Sequence, residues 1–175
     1  MAKTLFRSLV LIQSTIQGTS MKTSHLLSVS ILTAVATATA TASAATHKLP
    51  THAQIAKLFK TWNSALQTGN PETVANLYCA KGAVLLPTVS NQVRTTHKGI
   101  VDYFTYFLKS KPVGHIDREY IRVLGPNTAI NSGIYTFNLI QNGKSTSVQA
   151  RYTYVYEKQH GKWCIMDHHS SAMPE

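Results

Sequence analysis

Arg151 stands in the middle of VQARYTYVY, residues 148–156, a segment of strand-forming residues. Strand parity groups Arg151 with Thr153 and Val155, and Ala150 with Tyr152, Tyr154 and Tyr156, so one face is aromatic and the other mixed. An arginine there is either a solvated residue on an outer face or a buried cation awaiting an anion. Its planar guanidinium fork suits a carboxylate. Arg94 lies in TVSNQVRTT, residues 88–96, a polar loop between a strand and a helix where pocket residues commonly sit. His97 opens the next helix as a cap or surface residue. Asp167-His168-His169-Ser170-Ser171 is the densest polar cluster in the chain. Adjacent histidines on a strand point to opposite faces, so the pair does not suit one metal ion, and one of the two is expected to face a cavity. Asp102, Asp117, Glu119, Asp167 and the histidines are the candidate acids and bases, and none is assigned as a general base. Asp117 and Glu119 are expected on one face of their strand. No Gly-x-Ser-x-Gly context surrounds any serine, and Ser170-Ser171 has no located partners for nucleophilic work.

The elements that must position these groups are legible from periodicity. Ile55, Leu58, Phe59, Trp62 and Leu66 recur at spacings of three and four behind the N-cap Thr51, and Gly69 stops the helix. Asn70 caps a short second helix with Pro71 at its first position and Val74, Leu77 and Tyr78 as its stripe. A strand over 83–86 ends at Pro87. Residues 97–109 return to helical spacing through Ile100, Tyr103, Phe104, Phe107 and Leu108. Strands are then predicted over 115–123, 129–140, 145–157 and 163–169. Gly125-Pro126-Asn127, Asn142-Gly143 and Gln159-His160-Gly161 mark the turns between them. Helices followed by an antiparallel meander give an α+β class.

The chain has 175 residues and a net charge of +10. Its aromatic content of 9% argues against a disordered basic tail. The stretch 21–44 has a basic start at Lys22, an apolar body and the small-x-small end Ala42-Ser43-Ala44. We therefore divide the chain into a signal-peptide region, 1–44, with Met21 a possible true start, and a domain, 45–175. The apolar body is too short to span a bilayer, so no stable membrane anchor is expected and the product is placed in the periplasm or outside the cell. The domain keeps a charge of +7, but its basic residues are scattered and no zinc-finger, phosphate-loop or RNA-binding motif accompanies them, which argues against nucleic acid. Cys79 and Cys164 are the only cysteines. Export favours a disulfide, and two buried thiols are the alternative.

The segments WNSALQTGNP (62–71), LLPTVSN (85–91), ARYTYV (150–155) and GKWCIMDHHSSAMPE (161–175) resemble the NTF2-like superfamily. More narrowly, they resemble bacterial relatives of the calcium/calmodulin-dependent protein kinase II association domain, near the SnoaL-like and SgcJ/EcaC-like proteins. The resemblance covers residues 50–175. It implies an NTF2-like cone, with N-terminal helices packed in a strongly curved mixed, mostly antiparallel sheet. It further implies self-association as a homodimer or higher homo-oligomer and, without catalysis, a pocket for a small carboxylate or other anion; no metal or other cofactor is expected from the residues themselves. By matching motif, Arg151 and His169 would be the pocket's strand arginine and histidine, Arg94 a second arginine and Tyr78 a wall residue. Two rival expectations are an isomerase, hydrolase or cyclase with His169 or a neighbouring acid as base, and a structural or protein-partner module without a ligand. No kinase domain or calmodulin-binding segment accompanies the motifs, so signalling through calmodulin is not implied.

Overall fold

The computed structural model describes residues 48–174, so the expected signal-peptide region lies outside the described residues. Helix α1 (His52–Gln67) opens on a full capping box: the Thr51 hydroxyl accepts from Gln54 N–H at 3.2 Å, and Gln54 Oε1 accepts from Thr51 N–H at 2.8 Å. Its stripe Ile55, Phe59, Trp62 and Leu66 is buried, and Gly69 takes the left-handed geometry that ends it. Helix α2 (Pro71–Ala75) is capped by Asn70. It is shorter than the stripe predicted: Leu77 and Tyr78 have left the helix and run beside the last strand. After β1 (Val84–Leu86), helix α3 (His97–Phe107) starts from the cap Thr96, whose hydroxyl accepts from Gly99 N–H at 3.1 Å. A 3₁₀ turn follows, and Lys111 in left-handed geometry before Pro112 stops it.

The four long strands are β2 (Val113–Gly125), β3 (Thr128–Gln141), β4 (Lys144–Gln159) and β5 (Lys162–Ala172). Both β-hairpin turns expected on Asn142-Gly143 and His160-Gly161 form, with positive φ at each of those residues. The sheet order is β1-β5-β4-β3-β2, antiparallel except where β1 lies parallel to β5. The α+β class and the mixed, mostly antiparallel sheet therefore stand, and the strongly curved cone does not. The sheet is open, with β1 and β2 as opposite edges. Strong curvature needs bulges repeated across a sheet. Here the central β3–β4 pair runs in unbroken register from Thr128↔Glu157 to Gln141↔Lys144, and the register breaks fall only in the β2–β3 and β4–β5 pairings.

The β2 bulge also corrects the reading of two acids. It inserts Asp117 between the pairs Ile116↔Tyr135 and Arg118↔Ile134. Asp117 then accepts from Thr136 Oγ1 and Gln149 Nε2 on the outer face, while Glu119 accepts from the buried Asn131 Nδ2 at 2.8 Å on the inner side. Asn131 Oδ1 in turn accepts from Tyr152 O–H at 2.9 Å. The two carboxylates are thus parted. The bulge brings the Arg118 carbonyl against Gly133, where a Cβ would lie 1.8 Å from that oxygen, so only glycine fits there.

The inner sheet face is aromatic. Phe59 and Trp62 of α1 pack on Tyr135, Phe137, Tyr152 and Tyr154 with ring centroids 5.7–6.3 Å apart. This layer fills the space that a hollow cone would enclose, and leaves a cleft toward α3.

Candidate functional site

The cleft has two chambers. The inner one is about 50 Å³, walled by rings including Trp62, Phe104, Tyr135 and Phe137, with His168 and Ser170 as its polar groups on β5. The outer one is about 370 Å³ and carries Arg94, Ser90, Tyr106 and Gln141. Val89, Tyr103, Phe107 and Leu139 line both, so the chambers adjoin.

His168 is held from three sides. Tyr154 stacks on it at 4.1 Å between centroids, Trp62 meets it edge-on at 5.3 Å, and the Tyr78 hydroxyl lies 2.8 Å from Nδ1. The phenol has no other acceptor, so satisfying its proton means donating to Nδ1. That hydrogen-bond accounting assigns the proton of the neutral ring to Nε2. Nε2 is buried and has no partner among the described residues. Burial, with a smaller contribution from His169, pushes the His168 pKa down to about 3, so the ring is neutral at physiological pH. Beside it, Tyr135 donates to the Ser170 hydroxyl, which also pairs with Thr88 Oγ1. Burial holds the Tyr103 and Tyr135 phenols above their usual range, so both remain neutral donors. The nearby Arg94 guanidinium opposes this shift at Tyr103 without reversing it.

Arg94 is half-buried at the outer chamber. Its backbone is fixed by reciprocal hydrogen bonds with Leu85 of β1, each 2.9 Å. Nη1 donates to Gln92 Oε1 at 2.8 Å and Nη2 to Ser90 Oγ at 3.4 Å, while Nε is buried without a partner. The ion pairs among the described residues are His97–Glu72 and Lys98–Asp102, so Arg94 has no carboxylate partner there.

The sequence-predicted residues are thus dispersed. Arg94 lines the cleft. Tyr78 is buried and does not line it, but supports the ring that does. Arg151 is exposed on the outer sheet face, where Nη2 donates to Ala172 O at 3.3 Å. The parity of its strand gives the inner face to Tyr152 and Tyr154. His169 is also exposed and outward. The reason is a bulge at Met166: β4 pairs Tyr156↔Ile165 and then Val155↔Asp167, so one residue is skipped. Without it, alternation from the buried Ile165 would turn His169 inward; with it, His168 takes the inward place opposite Tyr154. His168, Tyr103 and Tyr135 line the cleft without being among the residues matched by motif, and a bulge position leaves no mark in the residue types.

The sequence profile of the family described as calcium/calmodulin dependent protein kinase II association domain matches residues 51–174. The chain belongs to that family. The association-domain assignment agrees with a solved structure from Xanthomonas campestris described as such a domain. It is 54% identical, with a TM-score of 0.69, over 73% of this chain and 94% of that one. The CamKII hub homology domain of Chlamydamonas reinhardtii shares the fold at 21% identity and a TM-score of 0.56, over 70% of this chain and 98% of that one. The association domain of C. elegans CaMKII shares it at 14% identity and a TM-score of 0.55, over 67% and 92%. An NTF2-like superfamily protein of Salmonella enterica shares the fold at 17% identity and a TM-score of 0.62, over 70% of this chain and 91% of that one. No curated protein matches the chain.

Proposed function

We propose that this association domain is exported, assembles with copies of itself, and binds a small carboxylate without chemical turnover. The observation that carries the ligand is Arg94: a half-buried guanidinium with an unpartnered Nε and no acidic partner among the described residues, at the mouth of an aromatic cleft. A partly desolvated cation of this kind is stabilised by an incoming anion, and the rings behind it would cover the organic part. The cleft chemistry supports binding over catalysis. No carboxylate lines either chamber, and a histidine titrating near about 3 is too weak a base for proton abstraction at neutral pH.

Calorimetric titration with acetate tests this. Arg94→Gln is expected to weaken binding at least about tenfold, the value of a charged hydrogen bond, and Arg151→Gln to leave it unchanged. The opposite pattern would sink the site. Self-association is supported by the family and by the hub and association domains that share the fold, and light scattering of the purified chain is expected to give a mass above one subunit. Export is supported by the 21–44 pattern and by Cys79 and Cys164 standing as a disulfide. N-terminal sequencing of the secreted or periplasmic product is expected to begin at Ala45.

A further inference from the structure

The Cys79–Cys164 bond does more than close a loop of the chain. The segment after α2 runs beside β5 and is tied to it by two backbone hydrogen bonds: Ile165 N–H donates to Leu77 O at 2.8 Å, and Cys79 N–H donates to Ile165 O at 2.9 Å. Tyr78 lies between them, and its hydroxyl reaches His168. The covalent link joins the residue after Tyr78 to the residue before Ile165. It thus sits at one end of the segment that holds the phenol beside the strand carrying the histidine. It also sits two residues before the Met166 bulge, the feature that decides which histidine faces the cleft.

Around that segment the strand is also held by β1, paired parallel at Val84↔Asp167, Leu85↔His168 and Leu86↔His169, and by β4 at Tyr154↔His168. The loop beyond Cys79 turns at Gly82 in left-handed geometry before the three-residue β1. The Cys164 side of the bond borders a separate cleft, lined also by Leu77, Tyr156 and Trp163, through which a small reductant can approach. Trp62 forms part of that cleft and of the inner chamber, so the two sites share a wall.

We infer that the Cys79–Cys164 disulfide is a positioning device for the ligand cleft: it holds Tyr78 on His168 and keeps β5 in the register that turns His168 inward, so that reducing it loosens the inner wall while the domain stays folded. The step is a two-electron exchange. A dithiol such as dithiothreitol gives up two electrons and two protons to become a cyclic disulfide, and the protein disulfide becomes two thiols. As far as it concerns a ligand, this inference rests on the cleft being the binding site; the position of the imidazole does not depend on that.

The experiment uses the full chain with ¹⁵N-labelled histidine, oxidised and after dithiothreitol, with two free thiols per chain confirmed by titration. A Cys79→Ala/Cys164→Val variant serves as a second form that keeps the packing apolar without the bond. The His168 ring nitrogens are expected to shift in both forms, toward the pattern of Tyr78→Phe, with far-UV circular dichroism retained. Acetate affinity is expected to fall a few-fold in the same samples. An unchanged His168 signal with both thiols free would overturn the inference. So would loss of the fold in both forms, because the bond would then hold the whole domain and not the wall. If oxidised protein binds no acetate yet His168 still shifts on reduction, the ligand reading fails and the positioning role stands.

Discussion

Trp62→Ala is expected to destabilise the domain by ~3–5 kcal/mol, close to the whole stability of many domains this size. The indole is fully buried and packs between both layers. Its ring lies 5.9 Å from Phe59 on its own helix, 6.2 Å from Phe104 on α3, 6.2 Å from Phe137 on β3, 5.7 Å from Tyr154 on β4 and 5.3 Å from His168 on β5. Among the described residues no other side chain joins so many elements by ring contact. Large-to-small replacement loses the transfer energy of the ring and leaves a cavity that stiff aromatic neighbours cannot collapse into. The inner chamber would open into the space left behind. Urea unfolding followed by circular dichroism measures the loss, and Trp62→Phe should recover a large part of it. A cost near 1 kcal/mol for the alanine variant would show that α1 is held by something other than this aromatic layer.

The second large effect is a loss of stability with falling pH, with its source at His168. The ordinary imidazole value is 6.5, and burial lowers it to about 3 in the folded chain. In that interval the unfolded chain binds a proton that the folded chain refuses. The folded pKa is depressed, so the stability this residue contributes is complete above the ordinary value and is lost as pH falls toward the folded one. The slope approaches about 1.4 kcal/mol per pH unit for one proton. Asp167 is shifted the other way by its own desolvation, so it acts in the acid range and opposes the trend there. The window from about pH 6 to about pH 5 therefore reports His168 most cleanly. Urea midpoints across that window should fall for the native chain and flatten for His168→Gln. A native chain with no slope there would contradict the burial of a neutral ring.

Much of the fold was legible because local rules and tertiary packing agree. The Thr51 cap, the Ile55–Leu66 stripe, the Asn142-Gly143 and His160-Gly161 turns and the long strands all follow from spacing and turn chemistry. The curvature was not legible. It depends on how many bulges interrupt the central strands, and the unbroken β3–β4 register keeps the sheet open. The site was legible by cluster and not by residue. Arg94 lines the outer chamber from its loop, whereas Tyr78, expected as a wall residue, lies behind the ring that lines the inner one. The Asp167–Ser171 cluster was recognised, but the histidine that enters the cleft is His168, because the Met166 bulge reverses the alternation carried over by motif. Arg151 sits where its strand's aromatic parity leaves room, on the outer face. A one-residue shift exchanges inside for outside on a strand, and nothing in residue composition announces it.

The central claim, a carboxylate held by Arg94 before an aromatic wall, is tested most directly by titrating acetate into the ¹⁵N-labelled chain and following arginine side-chain and histidine ring signals together. The account predicts saturable shifts at the Arg94 guanidinium with smaller ones at His168, and none at Arg151 or His169. Saturable shifts at Arg151 and His169 with Arg94 silent would place the ligand on the outer sheet face and contradict it.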